Sequence, residues 1–197
     1  CIRDRLRAAR AMTDPASGSS DRHAQLSPAS EPGALKRAYS CFPTGVVAVC
    51  CSDTDSEPLG MAASAFTTVS LDPPLVSVCI QNTSTTWPRL RDARALGVSV
   101  FAHTQSALCR QLAGPAEHRF DDVTPQIADD GALFLPDSAA RLSCHIHSEV
   151  AAGDHTVVLL QIDALDCDPD VEPLVFHAST FRALEARPGL HPLPGAS

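Results

Sequence analysis

The sequence almost lacks lysine: Lys36 is the only one in 197 residues. Acidic residues outnumber basic residues by 23 to 15, which gives a formal net charge of −8. A nucleic-acid-binding surface needs clustered basic residues to neutralise phosphates, so this balance argues against a nucleic-acid partner. A phosphate site in this chain must therefore use backbone amides, hydroxyl groups or arginine.

Long apolar runs are also missing. No stretch approaches the roughly 20 apolar residues that cross a bilayer, and the N-terminus lacks the apolar core of a signal peptide. The eight cysteines form no Cys-x-x-Cys pair, and Cys50, Cys79 and Cys144 lie in apolar strand runs, where a reduced thiol packs as a small hydrophobe. We expect a cytoplasmic protein without disulfides and without membrane association.

Several catalytic motifs are absent. The chain has no Gly-x-Ser-x-Gly nucleophile elbow, no Walker loop and no Gly-x-Gly-x-x-Gly fingerprint. These absences argue against a serine hydrolase, a P-loop enzyme and a Rossmann unit. A nicotinamide cofactor, if one is used, must bind in another way.

One pattern could indicate a metal site. His145, His147 and Glu149 alternate along a predicted strand, so their side chains would share one face. The same alternation is typical of the solvated face of an ordinary amphipathic strand. We favour the solvated face and predict no metal.

The central stretch predicts a strand, a polar loop and a helix. Two extended runs, Leu59–Val69 and Leu75–Ile80, flank a connection that contains Pro73 and Pro74. Five hydroxyl and amide residues follow, 82–86, and Thr86 is placed to cap a helix. Free amides at a helix start together with hydroxyl donors can bind an anion, although an ordinary helix cap would use the same residues.

The remaining chain predicts one mostly β domain. We expect about six or seven strands and three short helices, arranged as a barrel with helical additions. Residues 1–30 are expected to be disordered, 31–187 to form the domain and 188–197 to be a loose tail. The other predicted elements are a helix at Glu31–Phe42 and at Ala107–Leu112, and strands at Val46–Cys51, Gly97–Ala102, Arg141–Val150, Thr156–Leu165, Pro173–His177 and Thr180–Leu184.

Several separated segments together resemble one known family. In chain order they are FPTGVVAVC, MAASAFTTVSLDPPLVSVCIQNTSTTWPRL, GVSVFA, a Gly-Asp-His turn and PLVFHASTFRAL. They resemble the flavin reductase-like family, and the resemblance runs from about Gly33 to Leu184. It implies an FMN-binding split β-barrel with a few short helices and a homodimer with flavin near the interface.

The resemblance also implies site residues. The segment that contacts the flavin ring falls on Ala62, Ala63, Ser64, Ala65 and Phe66, and the phosphate-side loop on Asn82, Ser84, Thr85 and Thr86. Gln105, Thr44 and Phe181 match further flavin-proximal positions, and His155 of the Gly-Asp-His turn matches a histidine beside the nicotinamide pocket. Many relatives carry Thr, Asn and Ser at the positions of Ala62, Ser64 and Ala65, and Gly and Tyr at those of Ser179 and Phe181.

The implied activity is that of an NAD(P)H:flavin oxidoreductase that supplies reduced FMN or FAD to a partner monooxygenase. The resemblance does not decide between NADH and NADPH. Two other interpretations stay open: a flavoprotein oxidoreductase that holds FMN tightly, and a non-catalytic flavin-binding module.

Overall fold

The computed structural model describes residues 29–52 and 57–184. The predicted disordered segment, apart from residues 29 and 30, and the predicted tail lie outside these residues. The helices are α1 Pro32–Ser40, α2 Trp87–Arg91 and α3 Ser106–Leu112, with 3₁₀ turns at His103–Gln105 and Ala116–His118. The strands are β1 Thr44–Gly45, β2 Val47–Ser52, β3 Pro58–Ala63, β4 Phe66–Leu71, β5 Pro74–Gln81, β6 Leu96–Val100, β7 Gln126–Ile127, β8 Leu133–Phe134, β9 Ala140–Ala152, β10 His155–Cys167, β11 Val175–His177 and β12 Thr180–Arg182.

Seven strands form the main antiparallel sheet in the order β3-β2-β6-β9-β10-β5-β4. Its two edges, β3 and β4, are separated in the chain by only Ser64 and Ala65. The sheet must therefore curl until its edges approach each other at this link. No ladder joins β3 to β4 in the described part of the chain, so the cylinder stays open, as in a split barrel. The prediction of a mostly β fold is confirmed.

Strand β2 is buried on both faces, and it separates two apolar cores. Val47 and Val49 point into the barrel core, where Trp87 and Leu90 of α2 also pack. Val46, Ala48 and Cys50 point the other way, into a second core built with α3 and the chain around Leu133. Packing on both sides explains why this strand reads as an uninterrupted apolar run rather than an alternating one.

Two predicted elements differ from the structure. The extended run Leu59–Val69 is two strands, because the chain turns at Ser64 and Ala65 from one edge of the sheet to the other. The predicted helix Glu31–Phe42 ends at Ser40, and its two aromatic side chains, Tyr39 and Phe42, are exposed.

A β-bulge overturns part of the predicted alternation in β9. Ile146 faces Leu160 of β10 and Ser148 faces Leu159, so His147 is an extra residue in β9. An extra residue reverses the faces of all later side chains. The placement of Glu149 on the same solvated face as His145 is therefore wrong: its side chain is 18% exposed and contacts Trp87 of the barrel core.

Candidate functional site

The loop after β5 and the turn before β10 lie side by side. We call Asn82–Thr86 the hydroxyl loop and residues 153–155 the Gly-Asp-His turn. Gln81 and His155 are register partners, and the Asn82 amide donates to the carbonyl oxygen of Asp154 over 2.9 Å. The Asn82 side chain donates from Nδ2 to the Gly153 carbonyl, 3.1 Å, and accepts from the Thr156 hydroxyl, 3.0 Å. Asn82 thus ties the two predicted motifs together.

Ser84 and Thr86 anchor the other end of the hydroxyl loop. The Trp87 amide donates to the Ser84 hydroxyl over 3.1 Å, so Ser84 caps α2. The expected cap by Thr86 is wrong, because its backbone is already helical and its side chain makes no cap bond. The Thr86 hydroxyl instead accepts from Nη1 of Arg119 over 2.8 Å.

The anchoring residues alternate with exposed donors. Thr83 and Thr85 are exposed, and their hydroxyls make no hydrogen bond to any residue that the structure describes. The amides of Thr83, Thr85 and Thr86 also lack a partner among these residues. Several unpaired donors on one anchored loop fit a phosphate group. Helix α2 has only five residues, so its dipole adds little and the loop itself supplies the donors.

The expected ring-contacting residues, which we call the ring-edge segment (Ala62–Phe66), lie where the barrel opens. The Ala62 side chain packs in the second core and that of Ala63 in the barrel core, so neither reaches solvent. Ser64 is buried, Ala65 is exposed, and Phe66 begins β4 with a half-buried ring. Among the described residues, the amides of Ser64 and Ala65 have no hydrogen-bond partner, while the Ala65 carbonyl accepts from Cys79 over 3.0 Å. Small side chains and free amides leave this backbone open to a planar ligand.

His155 stands at the start of β10, next to the hydroxyl loop. Its Nδ1 donates to Oδ1 of Asp154 over 2.7 Å, and its side chain is 30% exposed. This hydrogen bond lowers the pKa of the Asp154 carboxyl. In the neutral tautomer that donates from Nδ1, the other ring nitrogen is an acceptor.

Thr44, Gln105 and Phe181 lie in other parts of the fold than the hydroxyl loop. Thr44 pairs with Phe176 in the sheet β1-β11-β12, and its buried hydroxyl has no partner in the described part of the chain. The Phe181 ring packs edge-on against Phe176, with centroids 5.3 Å apart, and Arg110 lies 4.7 Å from the centre of the Phe181 ring. Both polar ends of the Gln105 side chain bind the backbone: the Ala102 amide donates to its oxygen and its nitrogen donates to the Pro136 carbonyl. None of these contacts joins Thr44, Gln105 or Phe181 to the hydroxyl loop.

The site residues implied by the resemblance did not include Thr83, which the predicted loop 82–86 contains, or Arg119, which the sequence analysis did not single out. Thr83 resembles its neighbours in the loop, and only the alternation of anchored and exposed side chains distinguishes it. Arg119 stands between acidic residues, Glu117 and Asp121, in a stretch without regular periodicity. A basic residue isolated in an acidic stretch was the available signal.

The side chains of the candidate metal pattern, His145, His147 and Glu149, do not converge in the structure. His145 donates from Nδ1 to Asp163 over 2.7 Å, while Glu149 lies on the opposite face of β9 and bonds Trp87 and Arg91. No group of three possible ligands converges among the described residues. The absence of a metal stays a prediction. No helix within the described ranges is both long and apolar enough to cross a bilayer.

The described strands form a half-open antiparallel barrel, and a loop with unpaired donors lies beside its opening. The family model for the flavin reductase like domain matches residues 39–185. The chain therefore belongs to the flavin reductase-like family.

Individual relatives agree with this assignment. The solved structure of the NADH:FAD oxidoreductase SgcE6 of Streptomyces globisporus is 32% identical, with a TM-score of 0.78, and covers 84% of this chain and 99% of its own. A second structure of SgcE6 is a complex with NAD and FAD fragments. BorF, the flavin reductase component of a bacterial two-component tryptophan halogenase, is 29% identical, with a TM-score of 0.72, over 80% of this chain and all of its own.

A longer relative also matches. A probable flavin reductase of Rhizobium meliloti is 35% identical over 69% of this chain. The chain spans only 44% of the length of that relative.

Proposed function

We propose that the protein is an NAD(P)H:flavin oxidoreductase that passes reducing equivalents from a reduced nicotinamide to FMN or FAD. The observation that carries this proposal is the hydroxyl loop, whose unpaired donors lie next to the Gly-Asp-His turn at the open side of the barrel. Family membership and the NADH-dependent relative SgcE6 support the reaction. Flavin-dependent oxidation of NADH or NADPH by the purified chain tests it.

Each part of the site has a role in this reaction. The exposed donors of the hydroxyl loop, Thr83 and Thr85, bind the flavin phosphate together with the loop amides. Asn82, Ser84 and Thr86 hold the loop in place. The ring-edge segment receives the flavin ring through its backbone amides. When bound, the flavin supplies the hydride acceptor, and the protein's task is to orient two planar rings and exclude water between them.

His155 orients the nicotinamide. Nδ1 of the ring is bonded to Asp154, so Nε2 is the ring nitrogen left to form a hydrogen bond with the carboxamide group of the nicotinamide. Hydride transfer needs no acid on the nicotinamide, and we therefore assign His155 to positioning rather than to proton transfer.

We propose that Thr44, Gln105 and Phe181 contribute to flavin binding in a homodimer. No described contact joins these residues to the hydroxyl loop of the same chain, and in the homodimer the second copy would bring its own Thr44, Gln105 and Phe181 to the shared site. Exposed apolar side chains such as Phe42 and Leu71 offer surface for such an interface. Sedimentation at several protein concentrations tests the homodimer, and a monomer at all of them would contradict it.

A diffusible flavin would serve a partner oxygenase in the cytoplasm. BorF, which is the reductase of a two-component system, supports this part of the proposal. Two measurements separate it from the alternatives. Flavin lost on gel filtration favours a substrate over a tightly held prosthetic group, and flavin-stimulated NADH consumption excludes a non-catalytic binding module.

A further inference from the structure

Arg119 connects three separate parts of the chain. Its Nη1 donates to the Thr86 hydroxyl of the hydroxyl loop, 2.8 Å, and to the Gly60 carbonyl of β3, 2.8 Å. Its Nε donates to the carbonyl of Gly114, just after α3, over 3.1 Å. One planar guanidinium therefore links the hydroxyl loop to the strand that continues into the ring-edge segment.

The backbone around Arg119 is itself held firmly. The Gln111 side chain donates to the carbonyls of Arg119, 3.2 Å, and Asp121, 2.8 Å. The next residue, Phe120, packs on the second core, and glycine at position 60 makes room for it. A Cβ at Gly60 would lie 3.0 Å from the Phe120 ring and 2.4 Å from the sulfur of Cys50.

We propose that Arg119 is a positioning residue that sets the distance between the phosphate end and the ring end of the flavin site. The inference rests on the proposed function, because it assigns the hydroxyl loop to the phosphate. Gly60 lies two residues before Ala62 in β3, so a tether from Gly60 to Thr86 fixes the loop relative to the ring-edge segment. Thr86, only 6% exposed, accepts the bond from Arg119 and keeps its own hydrogen for a further acceptor.

Arginine suits this task better than lysine. Its five N–H donors have fixed directions in one plane, so Nε can bind Gly114 while the two hydrogens of Nη1 bind Gly60 and Thr86. An ammonium group in its place keeps the charge but cannot reach all three acceptors in this geometry. Arg119→Lys therefore separates geometry from charge.

The test compares FMN with riboflavin, which lacks the phosphate, as substrates of the full chain. In Arg119→Lys and Arg119→Met we expect the KM for FMN to rise about tenfold, a loss of about 1.4 kcal/mol. The KM for riboflavin and the kcat with either flavin should stay within about twofold of the wild type. Arg94→Lys is the matched control, since Arg94 is exposed and has no partner among the described residues.

Three results would overturn the inference. An unchanged KM for FMN in Arg119→Lys and Arg119→Met excludes a positioning role, and an equal rise for FMN and riboflavin shows a merely structural one. The third uses Thr86→Val, which removes the hydroxyl that accepts from Arg119 and serves if the Arg119 variants do not fold. It must raise the KM for FMN selectively, and in that background Arg119→Lys must add little. A wild-type chain that reduces neither flavin would instead contradict the proposed function.

Discussion

At the level of single residues, the hydroxyl loop divides its side chains by position. Asn82, Ser84 and Thr86 bind other parts of the protein, and Thr83 and Thr85 face outward. A loop anchored at every second residue keeps its exposed donors in fixed positions. Such preorganised donors bind an anion without the entropic cost of ordering a mobile loop.

The double variant Ser84→Ala, Thr85→Ala tests the phosphate assignment. It removes one exposed donor and the hydroxyl that caps α2. We expect FMN binding to weaken by about 1–3 kcal/mol, the scale of hydrogen bonds to a charged group. Titration of protein with FMN, followed by the fluorescence of Trp87, the only tryptophan, measures this loss. Thr124→Ala, at another exposed hydroxyl, is the control, and equal FMN affinity in all three proteins would refute the assignment.

His155→Ala tests the nicotinamide assignment. Without the imidazole, the apparent KM for the reduced nicotinamide should rise and kcat/KM should fall, while FMN affinity stays nearly constant. Asp154→Asn should lower kcat/KM less, because it loosens the ring without removing it. If kcat/KM for the nicotinamide were unchanged in His155→Ala, the residue would be structural only.

Two buried cysteines make the free energy of unfolding depend on pH in the alkaline range. Burial raises the pKa of the Cys109 thiol to about 12 and that of the Cys144 thiol to about 12. A thiol in the unfolded chain has a pKa of about 8.5, so at higher pH only the native state keeps these two protons. The stability that the two protonated thiols give the folded state is thus fully present below about pH 8.5 and is lost as the pH rises toward 12.

Urea unfolding at pH 8 and pH 10 checks this dependence. The free energy of unfolding should be lower at pH 10, and the difference should shrink in a Cys109→Ala, Cys144→Ala variant. An equal pH dependence in both proteins would contradict the burial argument. Native alkylation at pH 8 should label exposed Cys41 and Cys167 and spare Cys109 and Cys144.

At the level of elements, the turn between β11 and β12 stores backbone strain. Ala178 and Ser179 both have positive φ, 48° and 61°, which residues with a Cβ adopt at a cost. Ser179→Gly should therefore stabilise the protein by about 1 kcal/mol, or about 2–4 °C in Tm. Ser70→Gly, in the strand β4 with ordinary φ, should destabilise it instead. A lower Tm for Ser179→Gly would show that the turn is not strained.

Sequence patterns predicted most elements, because each apolar run had the length and residue types of a strand. They failed where one or two residues change the course of the chain or the faces of its side chains. The turn at Ser64 and Ala65 carries no Gly or Pro signal, and the extra residue His147 in β9 is visible only through its pairing with β10. Both features depend on contacts between distant segments, which periodicity cannot detect.

The candidate site was proposed from the sequence on different grounds. Composition and spacing suggested an anion loop, and the resemblance supplied its ligand and the role of the Gly-Asp-His turn. The structure adds that Asn82 joins the two, and that Arg119 ties the loop to β3. Neither contact follows from the sequence, since 71 residues separate Asn82 from Gly153 and 59 separate Arg119 from Gly60.

At the level of the whole molecule, both motifs lie at the open side of one curled sheet. The edges β3 and β4 meet at the ring-edge segment, and the neighbouring strands β5 and β10 bring the hydroxyl loop and the Gly-Asp-His turn together. The fold therefore presents the proposed phosphate-binding end and the proposed ring-binding end on the same barrel. This arrangement is the basis for proposing that two redox cofactors meet there.

The most direct test of this proposal is anaerobic mixing of the purified chain with NADH or NADPH and excess FMN. Without oxygen, the visible absorbance of oxidised FMN should be lost at a rate proportional to protein concentration, with one nicotinamide oxidised for each flavin reduced. SgcE6 is named an NADH:FAD oxidoreductase. If this chain shares that preference, NADH should serve at least as well as NADPH. Bleaching no faster than in a protein-free control, with FMN or FAD and with either nicotinamide, would contradict the account.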